Sequence, residues 1–135
     1  MIVLDETIQS HRIIRAINSW YPGQVISVMD LRPATLIKDD GIATLLNQVK
    51  QPTFVTINVD DFWLKLHANR RYCIVALPLT NAQAKQEASM WLRKLLQLPE
   101  FHTKSARMGQ VIYARPSRIE YYGIDRQIHS LFWSM

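Results

Sequence analysis

The chain has 135 residues, is 48% hydrophobic and 20% charged, and carries a formal net charge of +5, which fits one globular domain over residues 1–135. Its single cysteine, Cys73, excludes an internal disulfide and makes a thiolate metal site unexpected. The first residues lack the basic and apolar pattern of a signal peptide, and no uncharged apolar run approaches the ~18 residues of a membrane span, so we expect a soluble, cytoplasmic protein without a membrane partner.

Strands and helices are predicted to alternate over the first 62 residues. The predicted elements are, in order, a strand at residues 1–4, a helix capped by Thr7 or Ser10 that ends near Ser19, a strand at 25–29, a loop at 30–34, a helix that begins at Asp39, and a strand at 53–57. Strands that alternate with helices of this length favour a parallel sheet with right-handed crossovers.

The rest of the chain is predicted to extend this sheet and end in a hairpin. The predicted elements are a strand at residues 72–77, a helix at 82–98 capped by Asn81, a hairpin of 110–114 with 118–122, and a tail at 124–135. The tail places Ile124, Ile128, Leu131 and Phe132 at helical spacing with few charges, which predicts an interaction helix. We therefore expect a homodimer or another partner bound through this apolar surface.

Acidic doublets stand at three of the predicted element boundaries. They are Asp5-Glu6 after the first strand, Asp39-Asp40 at the helix start, and Asp60-Asp61 after the strand at 53–57. Because the carboxyl ends of parallel strands meet at one edge of a sheet, these acids and Asn58 are predicted to hold a divalent metal there. The ordinary interpretation is that Asp39 is a helix cap and Asp60-Asp61 a turn. At most one member of each doublet is expected to face the metal, since adjacent residues in extended chain point to opposite sides.

Charge is distributed unevenly along the chain. Residues 1–61 hold seven acids and five bases, a net charge of −2, whereas residues 62–135 hold four acids and eleven bases, a net charge of +7. A local acidic site on a basic body suits a protein that holds a cation and attracts a polyanion such as RNA. Solubility alone also explains a bare excess of lysine and arginine.

Motifs shared in order and spacing resemble the PIN-like nuclease superfamily, in particular its short bacterial branch related to VapC-type toxin ribonucleases. The motifs are Val3-Leu4-Asp5-Glu6, Asp30-Leu31, Asp39-x-x-Ile42-Ala43 and Thr56-x-Asn58-x-x-Asp61-Phe62. The resemblance implies a three-layer α/β fold with a mainly parallel central sheet flanked by helices. It also implies that Mg²⁺ or Mn²⁺ supports hydrolysis of RNA phosphodiesters, and that the chain is the toxin of a toxin-antitoxin pair.

The resemblance assigns roles to single positions. The catalytic residues it implies are Asp5, Asp39 and Asp61, and the metal ligands are these three together with Glu6, Asn58 and Asp60. Thr56 of the motif is expected to contact the RNA substrate, and Arg70 and Arg71, which are outside the motifs, are expected as cations to pair with RNA near the site. Asn58 stands where many relatives have an aspartate, and no glutamate lies between Glu6 and Asp39, where classical PIN nucleases supply one.

Two other interpretations fit parts of this sequence. A non-catalytic PIN-like module that binds RNA or a protein without cleaving has the same sequence features and stays an alternative. A receiver domain is disfavoured because Asp30 follows the second predicted strand, whereas a phosphoacceptor should follow the third. Zinc is not expected, because His11, His67, His102 and His129 lack ligand spacing.

Overall fold

The computed structural model describes residues 1–8, 10–31 and 39–134, apart from the side chains of Asp39 and Asp40. Its strands are β1 (Ile2–Leu4), β2 (Val25–Ser27), β3 (Thr53–Thr56), β4 (Cys73–Ala76), β5 (Val111–Arg115), β6 (Arg118–Tyr122) and β7 (Ile128–Phe132). Its helices are α1 (His11–Asn18), α2 (Val28–Leu31), α3 (Asp39–Leu46), α4 (Val59–Phe62), α5 (Asn81–Gln97) and α6 (Lys104–Arg107), with a 3₁₀ turn at Glu6–Ile8. No helix in this described part is long and apolar enough to cross a bilayer.

The strands form one seven-stranded sheet in the order β2-β1-β3-β4-β5-β6-β7. Pairing is parallel from β2 to β5, and β6 and β7 add to β5 as an antiparallel meander. The α/β class, the mainly parallel sheet and the C-terminal hairpin are therefore confirmed.

Helices α1 and α5 cover one face of the sheet. The Ser10 hydroxyl caps α1 by accepting a hydrogen bond from the Ile13 backbone N–H, and Ile13 and Ile17 point inward. Along α5 the buried positions recur at helical spacing: Ala84, Ala88, Trp91, Leu92, Leu95 and Leu96. This face holds the larger hydrophobic core, since it also includes Leu4, Val55 and Val75 from the strands.

The opposite face is covered by α3, α4 and the segment that follows α4. Ile42, Leu45 and Leu46 of α3 are buried there with Phe54 of β3 and Phe62 of α4. Helix α3 is described from Asp39 onward, and because residues 32–38 lie outside the described residues, the start of the helix at Asp39 stays a prediction. Toward β7 this face carries no helix of the described chain, and Phe132 is 84% exposed.

Two predicted boundaries were wrong because local hydrogen bonds decide them. Thr80, not Asn81, caps α5, since Thr80 and Gln83 form a reciprocal capping box and Asn81 is the first helical residue. Strand β2 ends at Ser27 rather than at residue 29, because the Ser27 backbone N–H donates to Asp30 Oδ2 at 2.9 Å and the chain turns into α2. Asp30 is therefore helical rather than in a loop, and residues 32–34 of the predicted loop lie outside the described residues.

The predicted tail helix was also wrong. Residues 128–132 form β7, which pairs with β6 in antiparallel register. Leu131 and Trp133 pack on the larger core, whereas Ile128 and Phe132, at alternate positions, are exposed. The spacing is compatible with a helix, but pairing with the adjacent β6 satisfies the backbone and buries one side of the tail.

Candidate functional site

The parallel strands have their carboxyl ends at one edge of the sheet, the carboxyl edge, and their amino ends at the other, the amino edge. At the carboxyl edge there is a topological switch point between β1 and β3. The chain leaves β1 for β2 on one side, whereas β3 lies on the other side of β1. In open α/β sheets the crevice at such a point is the usual ligand site, because the connections there diverge to opposite faces. Asp5 follows β1 and Asn58 follows β3, so both predicted site residues lie at this point.

Asp5 is held rigidly and is only 6% exposed. Its backbone N–H continues the sheet by donating to the Val55 carbonyl at 2.9 Å. Its Oδ1 accepts from the Glu6 backbone N–H at 2.8 Å, and its Oδ2 accepts from the hydroxyls of Thr56 at 2.7 Å and Thr7 at 3.2 Å. Three neutral donors thus compensate the burial of the carboxylate and fix its orientation.

Thr56 connects Asp5 to the residues that follow β3. Its hydroxyl donates to Asp5 and accepts from the Asn58 backbone N–H at 3.0 Å. The Asn58 side-chain N–H₂ in turn donates to Asp61 Oδ2. Asp5, Thr56, Asn58 and Asp61 therefore form one hydrogen-bonded chain across the ends of β1 and β3.

The chain leaves the strand before Asp60, which changes which acid faces the site. Helix α4 begins at Val59, so Asp61 lies one helical turn after Asn58 and reaches its amide. Asp60 and Asp61 are both exposed, and Asp60 makes no hydrogen bond within the described residues. Of the two aspartates, Asp61 is therefore the one that joins the hydrogen-bonded chain that includes Asp5, and it is also the one that the family motif assigns to the site.

The direction of helix α3 brings Asp39 toward the edge of the sheet at which Asp5 lies. Helix α3 begins at Asp39 and leads to β3, which starts at the amino edge, so the eight-residue helix, about 12 Å long, points its first residue toward the carboxyl edge. Its carboxylate is outside the described side chains. The predicted approach of the Asp5, Asp39 and Asp61 carboxylates stays a prediction for that reason.

Oxygen donors are present, but not as a cluster of acids. Among the described side chains, no three of His, Cys, Asp and Glu lie close enough together to hold a metal ion. Glu6, Asp60 and Asp61 therefore do not complete such a group with Asp5. The described donors that fit a hard cation are Asp5, Asp61 and the amide oxygen of Asn58, while the side chains of Asp39 and Asp40 lie outside the described residues.

Arg70 and Arg71 lie at the other edge of the sheet. Both are exposed and directly precede Tyr72 and β4, and with Lys50 and Gln51 they line a shallow groove of about 330 Å³ beside the start of β3. A strand of four residues separates the two edges by about 13 Å. The arginines are therefore at the opposite edge from the acidic site, and their contact with RNA stays a prediction.

Thr7 is the residue at this site that sequence reasoning missed. Its sequence position predicts only a helix cap, whereas its hydroxyl donates to Asp5 two positions earlier. An Asp followed two residues later by Thr just after a strand is the signal that was available.

Comparisons of the chain with protein-family models, with curated proteins and with solved structures found no match. Function has to be inferred from the site and from the sequence motifs.

Proposed function

We propose that this protein is a Mg²⁺- or Mn²⁺-dependent endoribonuclease with a PIN-like fold, acting as the toxin of a toxin-antitoxin pair. The observation that supports this most is the hydrogen-bonded chain from Asp5 through Thr56 and Asn58 to Asp61 at the switch point. It links four positions of the family motifs at one edge of the sheet, although they are up to 56 residues apart in sequence.

The residues present fit a hard divalent cation. Asp5 and Asp61 each offer carboxylate oxygens, and Asn58 retains its amide oxygen because its N–H₂ group is used by Asp61. The family motif assigns a further carboxylate to Asp39, whose side chain lies outside the described residues. When bound by these residues, Mg²⁺ or Mn²⁺ would supply positive charge near the phosphate and lower the pKa of a water.

Each residue then has a task of its own. Asp5 binds the ion with a fixed orientation, since three donors hold it and little solvent reaches it. Thr56 keeps Asp5 aligned and is buried, so it acts as a positioning residue rather than an RNA contact. Asp61 is exposed and can accept a proton from the attacking water or bind the ion from the solvent side.

One observation favours the alternative, a PIN-like module that binds RNA or protein without cleaving. Both oxygens of Asp5 already accept hydrogen bonds from the protein, which is also the arrangement of a structural carboxylate at a strand end. A module of this kind would keep the site geometry and bind metal weakly or not at all.

Metal titration and cleavage separate the two functions. For the nuclease, the melting temperature rises with millimolar Mn²⁺, because the ion binds only the folded state, and the rise is reduced in Asp5→Asn. RNA cleavage requires Mn²⁺ or Mg²⁺ and is lost in Asp5→Asn. Asp125→Asn, an acid in the turn before β7, is the matched control and retains both properties. Metal-independent melting together with absent cleavage in the unmodified protein would establish the non-catalytic module instead.

RNA and one protein are the partners of this proposal. The net charge of +7 over residues 62–135 favours an anionic substrate, and the exposed Ile128 and Phe132 of β7 offer an apolar surface for a second copy or an antitoxin.

A further inference from the structure

A pocket lies at the amino edge of the sheet, away from the acidic site. It encloses about 570 Å³ between the end of α1, the end of α5 and α6. This volume is in the usual range for small-molecule sites. Its lining includes the cations Arg93, Lys104 and Arg107 and the aromatic residues Trp20 and Tyr21.

The pocket is cationic without a compensating acid. None of the described residues that line it is Asp or Glu. The ion pairs of the described chain are those of Arg115 and Arg118 with Glu120, so Arg93, Lys104 and Arg107 have no carboxylate partner there. Three unpaired cations around one cavity favour an anionic ligand.

Arg107 gives this charge a fixed position. It is only 3% exposed, and its guanidinium donates to Thr53 Oγ1 at 2.8 Å and to the carbonyls of Phe101 and His102 at 3.1 Å. These acceptors are neutral, so the buried charge is hydrogen-bonded but not neutralised. A buried guanidinium is normally paired with a carboxylate, and an incoming anion would supply the missing charge.

The pocket lining also has an apolar and aromatic part. Trp20 and Tyr21 meet edge to face with ring centroids 6.0 Å apart, and Trp20 Nε1 is anchored to Ser89 Oγ at 2.9 Å. The Tyr21 ring lies on Gly23, where an added Cβ would be 2.7 Å from a ring carbon. Leu96 completes this part. The rings offer flat surfaces for another ring, while the cations hold its charge.

We infer that the amino-edge pocket binds a nucleotide, with its phosphate on Arg93, Lys104 and Arg107 and its base against Trp20 and Tyr21. The shared chemistry is a phosphate ester carrying a planar base, either as a free nucleoside monophosphate or as the 5′-terminal nucleotide of an RNA. This site is separate from the proposed metal site, since it lies at the opposite edge and contains no acid among its described lining residues.

Calorimetric titration of the full chain with adenosine 5′-monophosphate, without divalent metal, tests the inference. We expect binding of one nucleotide per chain that weakens as salt concentration rises. Inorganic phosphate and adenosine should each bind at least about tenfold more weakly, since each lacks one half of the contacts. Equal affinity for phosphate and the nucleotide, or no nucleotide binding at millimolar concentration, would overturn the inference.

Substitutions locate the site. Arg93→Gln and Lys104→Gln should each weaken nucleotide binding by about tenfold, the loss expected for one charge-assisted hydrogen bond. Both side chains are exposed, so the fold tolerates the change. The matched control is Lys85→Gln, which removes an exposed cation eight residues before Arg93 on the same helix and should leave binding unchanged. Equal losses in all three variants would indicate non-specific attraction instead.

Trp20→Leu tests the base. It should lower nucleotide affinity toward that of phosphate, since only Tyr21 then remains against the base, without changing the affinity for phosphate itself. Trp20→Leu also removes the hydrogen bond from Trp20 Nε1 to Ser89 Oγ. Ser89→Ala removes this hydrogen bond but keeps the indole ring, so it shows how much of the effect is due to the hydrogen bond alone. A 5′-phosphorylated oligoribonucleotide then distinguishes the source: tighter binding than the mononucleotide, with the same dependence on Arg93 and Lys104, assigns the pocket to an RNA end, and equal or weaker binding assigns it to a free nucleotide. Unchanged nucleotide binding in Trp20→Leu would remove the base from the proposal.

Discussion

Thr56 Oγ1 donates a 2.7 Å hydrogen bond to Asp5 Oδ2 and so ties the end of β3 to the end of β1. Both side chains are buried, and the same hydroxyl accepts from the Asn58 backbone N–H. Removing it leaves a buried carboxylate and a backbone donor each short of one partner.

The first prediction follows from this bond. Thr56→Val keeps the shape of the side chain but should lower the free energy of unfolding by about 1–3 kcal/mol, because the Asp5 carboxylate loses its shortest hydrogen bond. Thr56→Ser, which retains the hydroxyl, should keep the RNA cleavage rate close to that of the unmodified protein. Urea unfolding measures the stability. An unfolding free energy in Thr56→Val equal to that of the unmodified protein would contradict the role of the bond.

The second prediction separates the two acids of the doublet. Asp61→Asn should reduce metal-dependent RNA cleavage by orders of magnitude while the fold survives, since Asp61 is exposed and joined to Asn58. Asp60→Asn, a change of the same size one residue away, should have little effect. Cleavage of one RNA substrate with Mn²⁺ by both variants is the measurement. Full activity in both would remove the doublet from the mechanism.

The third prediction concerns Cys73 in β4. Burial raises the pKa of its thiol to about 12, so at pH 8 almost none of it is the reactive thiolate. Alkylation by iodoacetamide should therefore proceed only through unfolding, and its rate should rise with denaturant in step with the unfolded fraction. Fast labelling of the native protein would show that β4 opens independently of the rest of the sheet.

The fourth prediction is a homodimer formed through β7. Its five residues include no Lys, Arg, Asp, Glu or Pro, so its free edge lacks the features that normally prevent pairing. An antiparallel pair centred on Ser130 places Ile128 of one copy opposite Phe132 of the other, which buries two exposed apolar residues.

Sedimentation measures this assembly. The unmodified chain should sediment as a dimer at micromolar concentration, and Phe132→Lys should make it monomeric because two charges would face the apolar pair. Met90→Lys, at a 46% exposed apolar residue on α5, is the control and should remain dimeric. A monomeric unmodified chain at high concentration would exclude the β7 pair.

The sequence predicted the elements whose signals are local. The β-branched run before Asn58 and the helical spacing from Ala84 to Leu96 specified β3 and α5, because burial on a sheet or a helix face imposes those periods directly. The tail was misassigned because its spacing fits two structures, and the choice depends on pairing with β6.

The site was predicted in part for a related reason. Asp5 and Asn58 each follow a strand, so a parallel sheet brings them together once its order is known. Arg70 and Arg71 follow Asp61 by only nine and ten residues, and this short separation favoured a position near the site. However, β4 is parallel to β3, so the chain between them has to return to the amino edge before β4 can start. Arg70 and Arg71, which directly precede β4, therefore lie at the amino edge.

The two margins of the sheet have unequal lengths, which limits how large an assembly can become. The outer strand on one side, β2, is three residues long, whereas β7 on the other side is five residues long and uncharged. If two copies pair through β7, the β7 edge of each copy is covered and only the two short β2 strands remain as edges of the combined sheet. Growth would then stop at a closed pair, and a chain that exposes so much uncharged strand would be protected from forming filaments.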